Sequence, residues 1–293
     1  EIESLGLLLG LNRIIGCDIY AKCNLPTFDN SAMDGYALRA CDTKGASQKH
    51  VKTFRVITSI PAGYTTAHKI KSKEAIRIMT GAPIPKGADC VIMVEETKLV
   101  RTKEQEFVYT FREIKKGENI RKVGEDVKKG ERIISKGDII RPQELGMLAA
   151  QGISKVKVIR RPIVGIMATG DELIDIEEKL IKGKIRNSNS YCLIGQVLKT
   201  GGIPVNLGIV KDNHKDVYAK IARGLKAGVD MLLVSGGISV GDYDFVKDVL
   251  AELGTEMKFW KVAMRPGKPL AFGLIKGTPV FGLPGNPVSS MVS

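Results

Sequence analysis

The stretch Asp230-Met231-Leu232-Leu233-Val234-Ser235-Gly236-Gly237-Ile238-Ser239-Val240-Gly241-Asp242-Tyr243-Asp244 decides how the chain is read. It opens as a short apolar run with the length and composition of a buried strand. Ser235-Gly236-Gly237 cannot continue as a packed strand, so a loop begins there. Residues 245–253 then read as a helix. A glycine-bearing loop between a buried strand and a helix is the usual ligand position of an open α/β sheet. Its glycines let the backbone come close to an anion, and the following helix start offers unpaired N–H groups. Asp242 and Asp244, two residues apart, suit a hard cation such as Mg²⁺ beside phosphates. A plain strand–helix turn with a capping aspartate fits this segment alone equally well, because glycine-rich loops are common.

Outward from this stretch the same alternation recurs. Residues 163–168 and 205–210 read as strands, and 187–200 and 216–226 as helices, with Asn187 or Ser188 capping the first. Residues 270–275 and 279–282 read as a closing hairpin. The pattern predicts an α/β region with a mainly parallel sheet. Three more polar loops fall at strand ends: Thr169-Gly170-Asp171-Glu172-Leu173, Met264-Arg265-Pro266-Gly267-Lys268-Pro269 and Gly282-Leu283-Pro284-Gly285-Asn286-Pro287. Asp171, Glu172, Asp242 and Asp244 could gather with Lys268 around a metal–phosphate ligand, and the combination is stronger than any one loop.

The N-terminal half has a different rhythm. Residues 1–11 have helical character and 13–21 alternate as a strand. Asn24 to Ala37 is dense in turn formers yet holds Phe28, Met33 and Tyr36, the mixture of an ordered, functional loop or a compact structural turn. From 51 to 127 short strands at 51–60, 75–79, 90–94 and 107–111 are broken by Gly and Pro, predicting an all-β module in the form of a small barrel. Lys116-Gly117-Glu118, Lys129-Gly130-Glu131 and Lys136-Gly137-Asp138 read as hairpin turns. Pro142 opens a helix that Gly152 ends, and Pro162 marks a boundary.

Composition narrows the function classes. The 293 residues are 43% hydrophobic, enough for a sizeable core in two or three domains. No run approaches the length of a membrane span and nothing resembles a signal peptide. Five cysteines without a Cys-x-x-Cys pair point to a reducing, cytoplasmic setting, and three separated histidines give no zinc site. The net charge of +13 admits nucleic acid, an acidic membrane or an anionic small molecule. The lysines are scattered through turns, without the aromatic-interleaved strand or recognition helix of a nucleic-acid binder. The sequence starts at Glu1 and stops within a helical stretch, so it reads as a piece of a longer protein.

Seven motifs, taken together, resemble the MoeA family, whose eukaryotic relatives are the E domains of gephyrin and of the plant Cnx proteins. They are Asp-Asn-Ser-Ala-Met-Asp-Gly-Tyr-Ala at 29–37, Thr-Gly-Ala-Pro at 80–83, Gly-Glu-Asp at 124–126, Thr-Gly-Asp-Glu-Leu at 169–173, Ser-Gly-Gly-Ile-Ser-Val-Gly-Asp at 235–242, Arg-Pro-Gly-Lys-Pro at 265–269 and Leu-Pro-Gly-Asn-Pro at 283–287. They occur in the family's order over nearly the whole chain.

The resemblance implies α/β plus β architecture in several domains. A small linking domain would take 1–25 and 130–160, a β-rich insertion 26–129, and an α/β domain like that of MogA and MoaB 161–293. A further C-terminal β domain and an N-terminal helical segment of the family are absent from this sequence. The implied activity is that of a molybdopterin molybdotransferase. Molybdate enters adenylylated molybdopterin, and AMP is released with Mg²⁺. Carried over motif by motif, Asp34, Thr80, Asp126, Glu172 and Asp242 are the catalytic candidates. Ser235, Gly236, Gly237, Ser239, Lys268, Pro269, Pro284 and Asn286 are the substrate-binding candidates, and Asp242 and Asp244 the metal ligands. The implied partners are a second copy of the chain, in a homodimer that shares its sites between subunits, and a molybdopterin adenylyltransferase. Neither nucleic acid nor a membrane is expected. An adenylyltransferase of the MogA/MoaB kind is the nearest rival, but the β module at 51–127 exceeds that fold. A gephyrin-like scaffold would need added binding apparatus that the sequence does not hold.

Overall fold

The computed structural model describes residues 1–237 and 245–293, so the predicted site residues Ser239, Asp242 and Asp244 lie outside the described residues. The chain divides into two compact units, Glu1–Ile159 and Arg160–Ser293.

In the first unit, six strands form one sheet in the spatial order Cys90–Met93, Gly35–Leu38, Glu74–Ile78, Lys52–Ile60, Glu106–Thr110, Thr97–Arg101. Only Lys52–Ile60 and Glu74–Ile78 pair in parallel. Successive side chains on a strand point to opposite faces. Tyr36 and Leu38 therefore pack with Phe54, Ala75 and Ile92, while Ala37 packs with Ile76, Ile78 and Val91 on the other side. The expected barrel does not form, because the edge strands Cys90–Met93 and Thr97–Arg101 do not pair and the sheet stays open. Two strands of this sheet were not foreseen, Thr97–Arg101 and Gly35–Leu38. The second lies in the segment read as a loop. Its turn-like Gly35 is an extended residue pressed against a neighbour: a Cβ there would lie 1.9 Å from the Ile92 carbonyl oxygen.

One carboxylate braces this sheet. Glu74 lies 2.9 Å from His68 Nε2 and accepts from the Lys71 N–H at 2.9 Å and Arg55 at 3.2 Å. These bonds, His68 first, hold its carboxyl down at about 2, against an ordinary value of 4.5. A depressed carboxyl stabilises the fold above its unfolded pKa and loses that contribution as pH falls through the folded one. Glu74→Gln is expected to lower stability at pH 7 by about 1–3 kcal/mol. The gap to wild type should shrink as pH drops from 4.5 towards 2. Urea midpoints at neutral and strongly acidic pH check this, and a gap that does not change with pH would contradict it.

The rest of the unit packs around Ile15, Ile134, Ile140, Leu148 and Val158, with the helix Pro142–Ala150 contributing Leu148. Pro142 stands at its first turn and Gly152, at φ +66°, follows its end, as the sequence indicates. The chain start is not helical. Ile2–Gly6 is a strand paired antiparallel with Lys155–Ile159, followed by a single 3₁₀ turn at Leu7–Gly10. That non-local pairing satisfies the backbone in place of a helix. Within 13–21 only Ile19–Tyr20 forms a strand, against Arg132–Ile134.

The glycine turns are real but do not join neighbouring strands. In Lys115–Glu118, Lys122–Glu125, Lys128–Glu131 and Ser135–Asp138 the fourth residue donates its N–H to the first carbonyl. Its carboxylate in turn accepts from the first N–H, at 2.8–3.0 Å. Gly117, Gly124, Gly130 and Gly137, all at positive φ, occupy the third position.

In the second unit the sheet order is Ile203–Val210, Ile163–Thr169, Met231–Ser235, Thr278–Leu283, Ala271–Ile275, Glu256–Phe259. The first four strands are parallel and the last two antiparallel, which gives the mainly parallel sheet and closing hairpin expected, plus an unforeseen edge strand at Glu256–Phe259. Helices His214–Lys226 and Phe245–Glu252 cover one face through Val217, Ile221, Val246 and Val249, which pack with Leu232 and Val234. Helix Ser188–Lys199 covers the other through Leu193 and Val197, beside Leu233. Asn187 and Asn213 cap the helices that follow them by accepting from Ser190 and Asp216 N–H groups. Asp230, the first residue of the opening stretch, accepts from Arg160 at 2.6 and 2.8 Å and from the Ile163 N–H at 2.7 Å, fixing the start of the central strand.

Candidate functional site

The central strand Met231–Ser235 is flanked in parallel by Ile163–Thr169 and Thr278–Leu283, and all three run out at the same edge. A cavity of about 460 Å³ opens there. Such an edge is where open α/β sheets hold ligands. Of the predicted residues, Glu172, Ser235, Gly236, Gly237, Pro269, Pro284 and Asn286 line it. Lys268 is exposed beside Pro269 and does not line it.

The glycines are there for close approach. Gly236 has φ +92°, and a Cβ on it would lie 2.4 Å from the Thr169 carbonyl oxygen; on Gly237 one would lie 2.7 Å from Val246 Cγ2. The Gly236 N–H donates to the Leu283 carbonyl at 3.0 Å, holding the loop to the next strand. Asn286 accepts from the Ser289 N–H at 3.1 Å and so starts the last helix, Pro287–Val292.

Two cavity residues, Asp212 and Asn189, went unrecognised in the sequence. Thr169 donates its hydroxyl to Asp212; the Asp212 N–H donates to the Asp171 carboxylate at 3.3 Å and the Asp171 N–H to the Asp212 carboxylate at 3.4 Å. Asn189 reaches across the mouth to Ser235 and Gly285. Their signal was present: an aspartate two residues past the end of the strand Ile203–Val210, and a run Asn187-Ser188-Asn189 longer than one cap requires. Among the described lining residues the acidic donors are the oxygens of Glu172 and Asp212, without His or Cys, which is the donor type Mg²⁺ takes. Among the described residues no cluster of three His, Cys, Asp or Glu forms a metal site.

The first unit brings together two of its three candidates. Asp34 Oδ1 accepts from the Thr80 backbone N–H and from the Thr80 hydroxyl, both at 2.7 Å. These bonds, the backbone one first, hold the Asp34 carboxyl below its ordinary value. Asp126 instead pairs with Arg121.

Fold and cavity together define an α/β unit with a cavity at its strand ends, and a β-rich unit with a carboxylate–hydroxyl pair. The chain belongs to the MoeA family. Residues 1–152 match the MoeA N-terminal region (domain I and II), and residues 165–293 match a probable molybdopterin binding domain. A Bacillus subtilis protein named molybdopterin molybdenumtransferase is 40% identical over 292 residues, covering 100% of this chain and 68% of the relative. A Haemophilus influenzae protein of the same name is also 40% identical, with 70% of its length covered. The solved structure of a molybdopterin biosynthesis MoeA protein from Pyrococcus horikoshii OT3 superimposes with a TM-score of 0.83 at 36% identity, covering 99% of this chain and 70% of that one.

Proposed function

We propose that the protein is a transferase of molybdenum cofactor biosynthesis that inserts molybdate into adenylylated molybdopterin, with Mg²⁺-dependent release of AMP. The observation that carries this reading is the convergence of the Thr169, Ser235, Pro269 and Pro284 loops on one cavity. The shared name of the whole-chain relatives supports it.

On this reading Ser235, Gly236, Gly237 and Ser239 receive the adenylate phosphate, with Pro284 and Asn286 shaping the opposite wall. Lys268 and Pro269 receive molybdate, where a lysine ammonium suits an oxyanion. Glu172 and Asp242 serve as carboxylate groups of the reaction, and Asp242 and Asp244 hold the metal. Mg²⁺, when bound, offsets phosphate charge. Asp34, Thr80 and Asp126 contribute from the first unit. Positioning and electrostatics suffice for such a cleavage without a covalent nucleophile.

The finer architecture belongs to the same proposal. Residues 1–25 and 130–160 form a linking domain, 26–129 a β insertion, and 161–293 an α/β domain of the MogA and MoaB kind. The first of these is supported by the separate core of Ile15 with Ile134, Leu148 and Val158. The protein works in the cytoplasm as a homodimer supplied by a molybdopterin adenylyltransferase. Its five free thiols suit that compartment, and no helix among the described residues is long and apolar enough to cross a membrane.

The test mixes purified protein with adenylylated molybdopterin and Mg²⁺, and follows AMP with and without molybdate. Release that requires both molybdate and Mg²⁺ is expected. A folded protein that binds the pterin and releases no AMP with molybdate or tungstate would overturn the reading.

A further inference from the structure

Asn189 has a role that its position in a helix does not require. It stands in the first turn of Ser188–Lys199, which Asn187 fixes by accepting from the Ser190 N–H at 3.2 Å. Ser190 is fully buried, so this turn is anchored in the core and not by the ligand loops. From that anchor a single amide nitrogen, Asn189 Nδ2, donates to Ser235 Oγ at 2.8 Å and to the Gly285 carbonyl at 2.9 Å. An amide NH₂ has two protons, and this one places both. Turning the amide over would set Oδ1 against the Gly285 oxygen, two acceptors face to face, so the donor orientation is fixed by its partners.

The two recipients belong to different loops. Ser235 and Leu283 are register partners at the ends of neighbouring parallel strands, and the Gly236 N–H to Leu283 carbonyl bond lies at their last point of contact. Beyond it, Gly236-Gly237 and Pro284-Gly285-Asn286 both line the cavity. We propose that Asn189 is a positioning residue that ties these loops at the spacing that receives the phosphate-bearing substrate, an inference that rests on the functional reading above. A tie of this kind acts on rate, because displacing binding groups by about 1 Å costs on the order of a hundredfold.

The test compares wild type, Asn189→Asp and Asn189→Ala. Aspartate keeps the size and removes both donors, setting a carboxylate oxygen against the Gly285 carbonyl; alanine removes the tie without adding charge. Expected for both is a fall in kcat/KM for AMP release of about a hundredfold, with weaker AMP binding by calorimetry and a thermal midpoint close to wild type. Unchanged kcat/KM and AMP affinity overturn the inference. So does a loss of activity that tracks the unfolded fraction and returns on cooling, since that marks a purely structural role. Wild-type protein that releases no AMP fails the functional reading instead. AMP affinity alone then decides the tie: weaker binding by the variants upholds it, and equal binding overturns it.

Discussion

Gly35→Ala is expected to cost the Glu1–Ile159 unit about 4 kcal/mol or more, beyond ordinary overpacking. The obstacle is backbone: the added Cβ would lie 1.9 Å from the Ile92 oxygen and 2.9 Å from its carbonyl carbon. A side chain could rotate aside, but Ile92 is register partner to Tyr36 in the adjacent strand and cannot move without breaking that ladder. Whole-domain stability is only about 5–15 kcal/mol, so the variant should be largely insoluble or show a sharply lowered urea midpoint. Gly6→Ala is the control. That glycine has ordinary φ −60° and ψ 147°, and a Cβ there meets nothing within 4 Å. It should be neutral or slightly stabilising. Equal midpoints for the two variants would sink the close-approach argument.

Asp34→Asn is expected to lower AMP release by about 10²–10³-fold while leaving the thermal midpoint in place. The asparagine Oδ1 can still accept from the Thr80 N–H and hydroxyl, so the loop geometry is retained and only the charge is lost. The Thr80 bonds keep the Asp34 carboxyl ionised to lower pH than usual, so wild-type activity should not fall through protonation of this group near neutrality. Steady-state kinetics beside a melting curve separates the two effects. Activity within a factor of about three of wild type would remove Asp34 from the list of reacting groups, since lost electrostatic stabilisation is worth far more.

The α/β unit was legible because its signals are local. The apolar run at Met231–Ser235, the cap Asn187 and glycines after strand ends report on their own neighbourhoods. The first unit hid where partners are remote in sequence. Ile2–Gly6 is a strand only because Lys155–Ile159 lies beside it, and Gly35–Leu38 only because Ile92 and Ile78 do. Gly35 and Asp34 mimic turn chemistry, since a glycine chosen for close approach and one chosen for positive φ look the same in a sequence. The same blindness applies at the cavity. Motif resemblance led to Glu172, Ser235 and Asn286, whereas Asn189 and Asp212 emerge once the loops are seen to meet.

The strand Gly35–Leu38 is buried at every position, with Tyr36, Ala37 and Leu38 at 0% exposure. Asp34 directly precedes it, and Thr80 follows Glu74–Ile78, whose Ile78 is Gly35's register partner. In hydrogen-exchange terms the amides of Gly35–Leu38 are expected to be released only by global opening. The Asp34–Thr80 pair is thus mounted on backbone that two paired, buried strands hold in register.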